Sequence, residues 1–405
     1  MNGPIKLMVP LVATLAIAAC SGTSSTMPGT AGSSTVQPMA RSPLPEWMIR
    51  NQAHAECPMV TRQPTCTALR VNGITQNASP SGWLPSDLQT RYNTPSKTDG
   101  KGQIVGIVDA YDNPNIASDL AAYRSEFGLG TPKFKKFNQN GQQSGYPSGS
   151  TGWGTEEDLD VDMVSAVCPK CTIYLIEANS SNSTDLDTAE QTAVTLGAHI
   201  VSNSWICYGS NSCVDTNDFS AKNTLYLAAS GDDRYNENGN PESLGNVVSV
   251  GGTQLAKSGS TYSESAWSDA GGGCSNNGSG VGVTKPSWQH DPSCTYRTDS
   301  DVSSEAGCAP GVAEYDTYGG PGWIQECGTS AASPLNAGVF ALAGNASTQD
   351  AAKNFWTQKK KKYKHDLHDV TTGENGSCSG SYLCTAVPGY DGPTGWGTPN
   401  GIAAY

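Results

Sequence analysis

Residues 151–178 read TGWGTEEDLDVDMVSAVCPKCTIYLIEA, and how this stretch divides decides the fold. Leu159, Met163, Val164 and Val167 recur at helical spacing in its first part, which predicts a packed helix. After the Cys168-Pro-Lys-Cys171 turn, CTIYLIEA is a continuous apolar run of strand length, as in a sheet buried on both faces. The pattern repeats on either side. Upstream, GQIVGIVDA (102–110) is a strand ending in Asp, followed by the helical SDLAAYRSEFG. Downstream, STDLDTAEQTAVTLGA is a helix, and HIVSNSW, LYLAASGD and VVSVGGT are short strands ending in small or polar residues. Strands alternating with helices predict an α/β fold of three layers, a mostly parallel central sheet with helices on both faces. Such sheets gather their sites at the carboxyl ends of the strands.

The chain of 405 residues carries a formal charge of −13, 46 Gly and 24 Pro, and only 15% of it is charged. This acidic, loop-rich composition excludes nucleic acid as a partner, because phosphate binding needs a basic face. Lys6 followed by LMVPLVATLAIAA predicts a signal peptide over 1–20, too short to span a bilayer. Its end, IAAC, has the form of a bacterial lipobox with Cys20 as the lipidated residue, the alternative being ordinary cleavage. Residues 21–45, rich in Ser, Thr, Pro and Gly, predict a disordered tether, and 46–82 form a short Cys-bearing segment with no evident fold. The protein is therefore expected outside the cytoplasm as a lipid-anchored monomer. Of 13 Cys, removal of Cys20 leaves an even set. Near neighbours pair as Cys57–Cys66, Cys207–Cys213, Cys308–Cys327 and Cys378–Cys384, with Cys274–Cys294 and Cys168–Cys171 completing the set. The lone CxxC lacks a second half for zinc and predicts a small disulfide. Lys359–Lys362 with Lys364 reads as a solvated surface run.

In GTSAASPLNAGVFALAG (328–344), a Gly turn presents Ser330 at the start of an apolar helix, where small neighbours admit a substrate backbone. A Ser nucleophile needs a base. None of the five His (54, 199, 290, 365, 368) sits in a Gly-rich setting such as HGTH. Five of the seven residues 156–162 are acidic, and the pairs Glu156/Asp160 and Asp158/Asp162 each share a helical face. Two inward carboxyls four apart raise one another's pKa and can supply a base. At LAASGDDRY (227–235), a protonated Asp232 could donate a hydrogen bond to an oxyanion, or it could simply close a turn.

Together Ser330, Glu156/Asp160 and Asp232 resemble the sedolisin family of serine-carboxyl peptidases, which have a subtilisin-like fold. The resemblance runs from LPSDLQTRYN (84–93) to the C-terminus through GQIVGIVDAYDNP, EEDLD, SNSW, SGD, VVSVGGTQL, SDVSS (300–304), GTSAASP and GYDGPTGWGTPNG. It implies a peptidase domain over 83–405 that hydrolyses proteins or peptides in acid. Ser330 would be the nucleophile, Glu156 the base, Asp160 its orienting partner and Asp232 the oxyanion stabiliser. Glu157, Asp158 and Asp162 are left as solvent-facing or helix-start charge, and Asp109 as a supporting residue. The resemblance also implies one structural Ca²⁺ held by Asp369, Val370, Val387, Gly389 and Asp391, since hard oxygen donors on a Gly-rich loop suit that ion. The sequence departs from the family in the short segment before the domain and in Ile206-Cys207 after SNSW, where Gly is usual. Two rival readings follow: a catalytically impaired surface protein of the same fold, and a Ser-His-Asp hydrolase using His199 or His290.

Overall fold

The computed structural model of the chain describes residue 3 and residues 52–405, apart from 59, 61–62, 74–78, 209–212, 236–238, 276–281, 347–349, 351 and 358–364. The signal peptide at 1–20, Cys20, the tether at 21–45 and the lysine run lie outside the described residues. The chain divides into units 1–44 and 45–405, and every element below belongs to the second.

Three short strands come first: β1 (Ala53–Ala55), β2 (Thr65–Cys66) and β3 (Leu69–Val71), then helix α1 (Pro85–Arg91). Next come β4 (Ile104–Ala110), α2 (Ile116–Glu126), β5 (Lys133–Asn138), α3 (Thr151–Val167), β6 (Thr172–Ala178), α4 (Ser183–Thr195), β7 (Ile200–Asn203) and β8 (Trp205–Tyr208). The chain continues through β9 (Leu225–Ala229), β10 (Gly239–Asn240), β11 (Val247–Ser258) and β12 (Thr261–Ala266). A small β13–β14 pair (Gly273–Cys274, Thr298–Asp299) precedes β15 (Val302–Glu305), β16 (Val312–Asp316) and β17 (Gly322–Cys327). Helix α5 (Thr329–Ala343) follows. The main sheet runs β12-β11-β9-β7-β4-β6-β5, with β15 also on β11. All its pairs are parallel except β11–β12. The fold is the predicted one.

Strand alternation sends Val105 and Ile107 of β4 to one face, packed with Val161 and Val164 of α3 and Ala337 and Phe340 of α5. Val108 and Ala110 face the other way, against Leu186, Ala189 and Ala193 of α4. Asp109 shares the parity of Ile107 and so points at α3. Gly338 lets α5 approach α3 closely, since a Cβ there would lie 2.3 Å from Val167 Cγ2. All six anticipated disulfides are present.

Two findings differ from the sequence reading. Segment 46–82 is not featureless in its described part: β2 pairs antiparallel with β8, β1 with β3, and β3 with β17. And Glu157, Asp158 and Asp162 are not solvent-facing; together with Glu156 and Asp160 they are at most 1% exposed. Helix α3 is enclosed by β4, α5, α1, α2 and β16. Asp158 accepts from Asn113 Nδ2 at 2.7 Å and Asp162 from the Tyr315 amide at 3.2 Å. Burial pushes all three well above the usual carboxyl range, Glu177 adding to it at Glu157 and Asp316 at Asp158. They are held as neutral acids rather than as surface charge.

Candidate active site

Gly328 turns at φ +107° into α5, which begins with Thr329 and then Ser330. Ser330 Oγ donates to Glu156 Oε2 at 2.8 Å, and both residues are fully buried. Proline at 334 has no N–H for the carbonyl of Ser330 four residues earlier. That carbonyl instead lies 3.3 Å from Ser204 Oγ. The same hydroxyl donates to Asp160 Oδ1 at 2.7 Å, tying the strand end of SNSW to both helices. Glu156 Oε1 and Asp160 Oδ2 are buried without a hydrogen-bond partner. They sit four residues apart on one helix face, the spacing at which side chains meet. Burial and the nearby Asp109 push both acids well above the ordinary range, while the bonds from Ser330 and the Ala68 amide pull Glu156 back. Asp109 itself has neither oxygen bonded, and burial raises it to about 8.

Across the cleft, Asp232 Oδ1 accepts from the Thr329 amide and hydroxyl, both at 2.8 Å. Its amide donates to the Tyr208 hydroxyl at 3.0 Å. The residue is partly exposed, yet its Oδ2 is buried and unbonded, and burial raises the carboxyl to about 8. At neutral pH and below it is protonated, with that proton available to an acceptor over Gly328.

The structure thus brings Ser330, Glu156, Asp160 and Asp232 to one cleft. It also places there Asp109, read from the sequence as a supporting residue, and two groups that sequence reasoning did not assign. Ser204 bridges Asp160 and Ser330, and Asp109 loads the carboxyl pair. The other unassigned group is the chain's own Thr67–Ala68, whose amides donate to Glu156 Oε2 at 2.9 and 2.7 Å. His199 and His290 are exposed, and His199 bonds the Asn223 carbonyl, so the Ser-His-Asp reading is without a base.

The expected cation residues form one loop cluster. Gly389 N donates to both Asp369 oxygens at 3.1 Å, and Val387 N to Asp391 Oδ2 at 3.0 Å. Asp391 is fully buried and pushed up to about 7 by burial, with Asp369 repelling it. An all-oxygen donor set in which the buried Asp391 and the exposed Asp369 repel one another fits a hard cation. Elsewhere among the described residues, Asp119, Asp158 and Asp316 also converge, all buried. Thr317, Asn113 and Thr155 bond them respectively.

Residues 145–365 match the model of the subtilase family. The chain belongs to the subtilase family. Within it, the similarity is to sedolisin-type peptidases. The chain is 29% identical to kumamolisin from Bacillus sp. (strain MN-32) over 81% of its length, and 27% identical to sedolisin from Pseudomonas sp. (strain 101) over 78%. It spans 64% and 60% of those two relatives. Among solved structures, Pseudomonas sedolisin complexed with two molecules of pseudo-iodotyrostatin superposes with a TM-score of 0.67 at 25% identity, over 80% of this chain and 96% of that one. Sphericase, at 16% identity and a TM-score of 0.51 over 79% of this chain and 99% of its own, shares the fold.

Proposed function

We propose that this protein is a serine-carboxyl endopeptidase that hydrolyses peptide bonds of protein or peptide substrates in acid. The observation that carries the reading is the 2.8 Å hydrogen bond from Ser330 Oγ to Glu156 Oε2. Glu156 takes the hydroxyl proton as Ser330 attacks the substrate carbonyl, and Asp160, four residues along the same helix face, is its orienting partner. Protonated Asp232 donates to the oxyanion of the tetrahedral intermediate. Glu156 then returns the proton to the leaving amine, and water resolves the acyl-enzyme. A Ca²⁺ held by Asp369, Asp391 and the carbonyls of Val370, Val387 and Gly389 would pin the C-terminal loops by offsetting two carboxylate charges. The six disulfides, and the leader expected from the sequence, support a site of action outside the cytoplasm, with Cys20 as a lipid anchor.

A second reading, a peptide-binding protein without turnover, is favoured by one observation: the cleft is filled by the chain's own residues. Digestion of denatured protein across pH 3–8 by the wild type, Ser330→Ala and Glu156→Gln separates the two. Cleavage in acid that both variants lose supports the peptidase. Absence of Ser330-dependent cleavage at every pH overturns it.

A further inference from the structure

Thr155, Asp158 and Asp162 line one face of α3, and β16 runs along it. Thr155 Oγ1 donates to Asp316 Oδ2 at 2.8 Å, and the Tyr315 amide donates to Asp162 Oδ2 at 3.2 Å. Asp158 therefore lies opposite the stretch 314–316. Glu314 and Asp316 share strand parity, so Glu314 points into the same seam as Asp316. Asp119, in the first turn of α2, closes the third side. One carboxyl oxygen from each of Asp119, Asp158 and Asp316 lies within 4.8 Å of the other two. A calcium ion sits about 2.3–2.6 Å from each ligand and so spans oxygens up to about 5 Å apart. These three can share one.

Two further observations point to a ligand. Asp158 is fully buried, and its Oδ1 has no hydrogen-bond partner. Glu314 is fully buried too, and neither of its oxygens has one. The arginines nearby do not balance this charge. Arg70 Nη2 lies 3.5 Å from Asp316 Oδ2, but its Nε serves Glu56 at 2.7 Å and Glu326 at 3.2 Å. Arg124 is turned to Ser165 and to the carbonyls of Leu129, Gly130 and Pro169. The path from solvent is short: Ser118 and Thr317, adjacent in sequence to Asp119 and Asp316, are exposed.

We infer that Asp119, Asp158 and Asp316 form a binding site for a hard divalent cation of the calcium class, separate from the loop cluster at Asp369 and Asp391. Glu314 stands behind them as a fourth carboxyl. Without the ion the buried acids hold protons. The ion takes their place, and each carboxyl that turns to it releases its proton to solvent. The bound ion clamps α3, which carries Glu156 and Asp160, to the β16–β17 hairpin, whose chain runs directly into Gly328 and Ser330. It thereby fixes the spacing of the Ser330–Glu156 contact from behind. The inference does not depend on the peptidase reading, because the same ion would hold these elements in a protein without turnover.

The test is metal stoichiometry on the full chain at pH 7.5, in a Ser330→Ala background, by equilibrium dialysis against Ca²⁺ and elemental analysis. Asp391→Asn disables the loop cluster and should leave one equivalent bound. Adding Asp158→Asn or Asp119→Asn should remove that equivalent. Asn keeps an acceptor for the donor at either position, and circular dichroism checks each fold. Tb³⁺, a calcium mimic, should luminesce through Tyr315 and Tyr318 in the Asp391→Asn chain and lose that signal in the double variants. An Asp391→Asn chain that binds no ion overturns the inference, since protons alone then hold the seam. A folded double variant that keeps its equivalent overturns it as well. Should both double variants fail to fold, Glu314→Gln in the Asp391→Asn chain decides. An affinity about tenfold weaker supports the site, and an unchanged affinity overturns it.

Discussion

Replacing Asp109 by Asn should make the protein more resistant to unfolding at neutral pH than at acid pH, relative to the parent. Asp109 is fully buried, neither oxygen has a hydrogen-bond partner, and burial raises it to about 8 from an ordinary 3.8. A carboxyl raised in the folded state stabilises fully below its unfolded value, and that stability drains away as pH climbs toward the folded value. Between pH 3 and pH 7 the unfolded chain releases a proton that the folded chain retains. At about 1.4 kcal/mol per pH unit, the parent loses at most about 4 kcal/mol at this position. Glu156 and Asp160, which Asp109 repels, trim that figure by readjusting their own protons. Asn releases no proton, so the variant escapes the loss. Its own packing cost, two amide hydrogens with no partner, is the same at both pH values and cancels in the comparison. Urea unfolding followed by tryptophan fluorescence, in a Ser330→Ala background to prevent digestion, reads the difference. The variant-minus-parent stability should move in the variant's favour by about 2–4 kcal/mol from pH 3 to pH 7. An equal effect of Asp109→Asn at both pH values would refute the reasoning, because it would mean that Asp109 is already ionised in the fold.

Asp232, raised to about 8 by burial, should impose an alkaline limb on kcat/KM that falls tenfold per pH unit above that value, as its donated proton is lost. Asp232→Asn keeps a donor at every pH, so a peptide assay from pH 5 to 10, with circular dichroism to monitor folding, should show that limb abolished; its persistence would assign the limb to another group. Calcium should raise the melting temperature most above pH 7, where Asp391 would otherwise ionise beside Asp369, and a chelator should reverse the rise. Asp391→Asn should diminish the response, and an unchanged response would place the ion elsewhere.

The alternation of strands and helices was legible because buried parallel strands are apolar throughout and their boundaries fall at Gly, Ser and Asp. The disulfides were legible because each pairs neighbours in sequence. Ser330 could be named from a local pattern, a Gly turn before an apolar helix, whereas the acidic run before a strand offered two carboxyl pairs and Glu156 was picked out by the family resemblance. What local pattern could not show was the burial of Glu157, Asp158 and Asp162. Asp162 is covered by Tyr315 of the hairpin at 312–327, some 150 residues downstream, Asp158 is bonded by Asn113, and Glu157 lies beside Glu177 and Asp109 of the sheet. Their acidity reads as solvation until those distant segments are in place. Thr67 and Ala68 were hidden for a different reason. They reach Glu156 through backbone amides, which any residue but proline supplies, so no side-chain signature marks them.

Those amides also bear on how a carboxyl can act as base in a site this poor in water. The reaction sets opposite demands: Asp232 must keep its proton and Glu156 must lose one. Burial raises both, so burial alone would leave Glu156 neutral and idle. The opposing influences on Glu156 are hydrogen bonds, from Ser330 and from the amide of Ala68. The first is permanent. The second exists only while an extended peptide lies between β8 and β17. When that segment withdraws, Oε2 loses two donors and the proton on Glu156 is favoured again. An arriving peptide that presents its amides at the same place would restore them and so ease the loss of the proton from Glu156 when there is a bond to cut. Asp232, bonded by Thr329 of its own scaffold, receives no such help and keeps its proton in either state. On this reading the peptide in the cleft draws only Glu156 toward losing its proton, because only that carboxyl is hydrogen-bonded by the peptide.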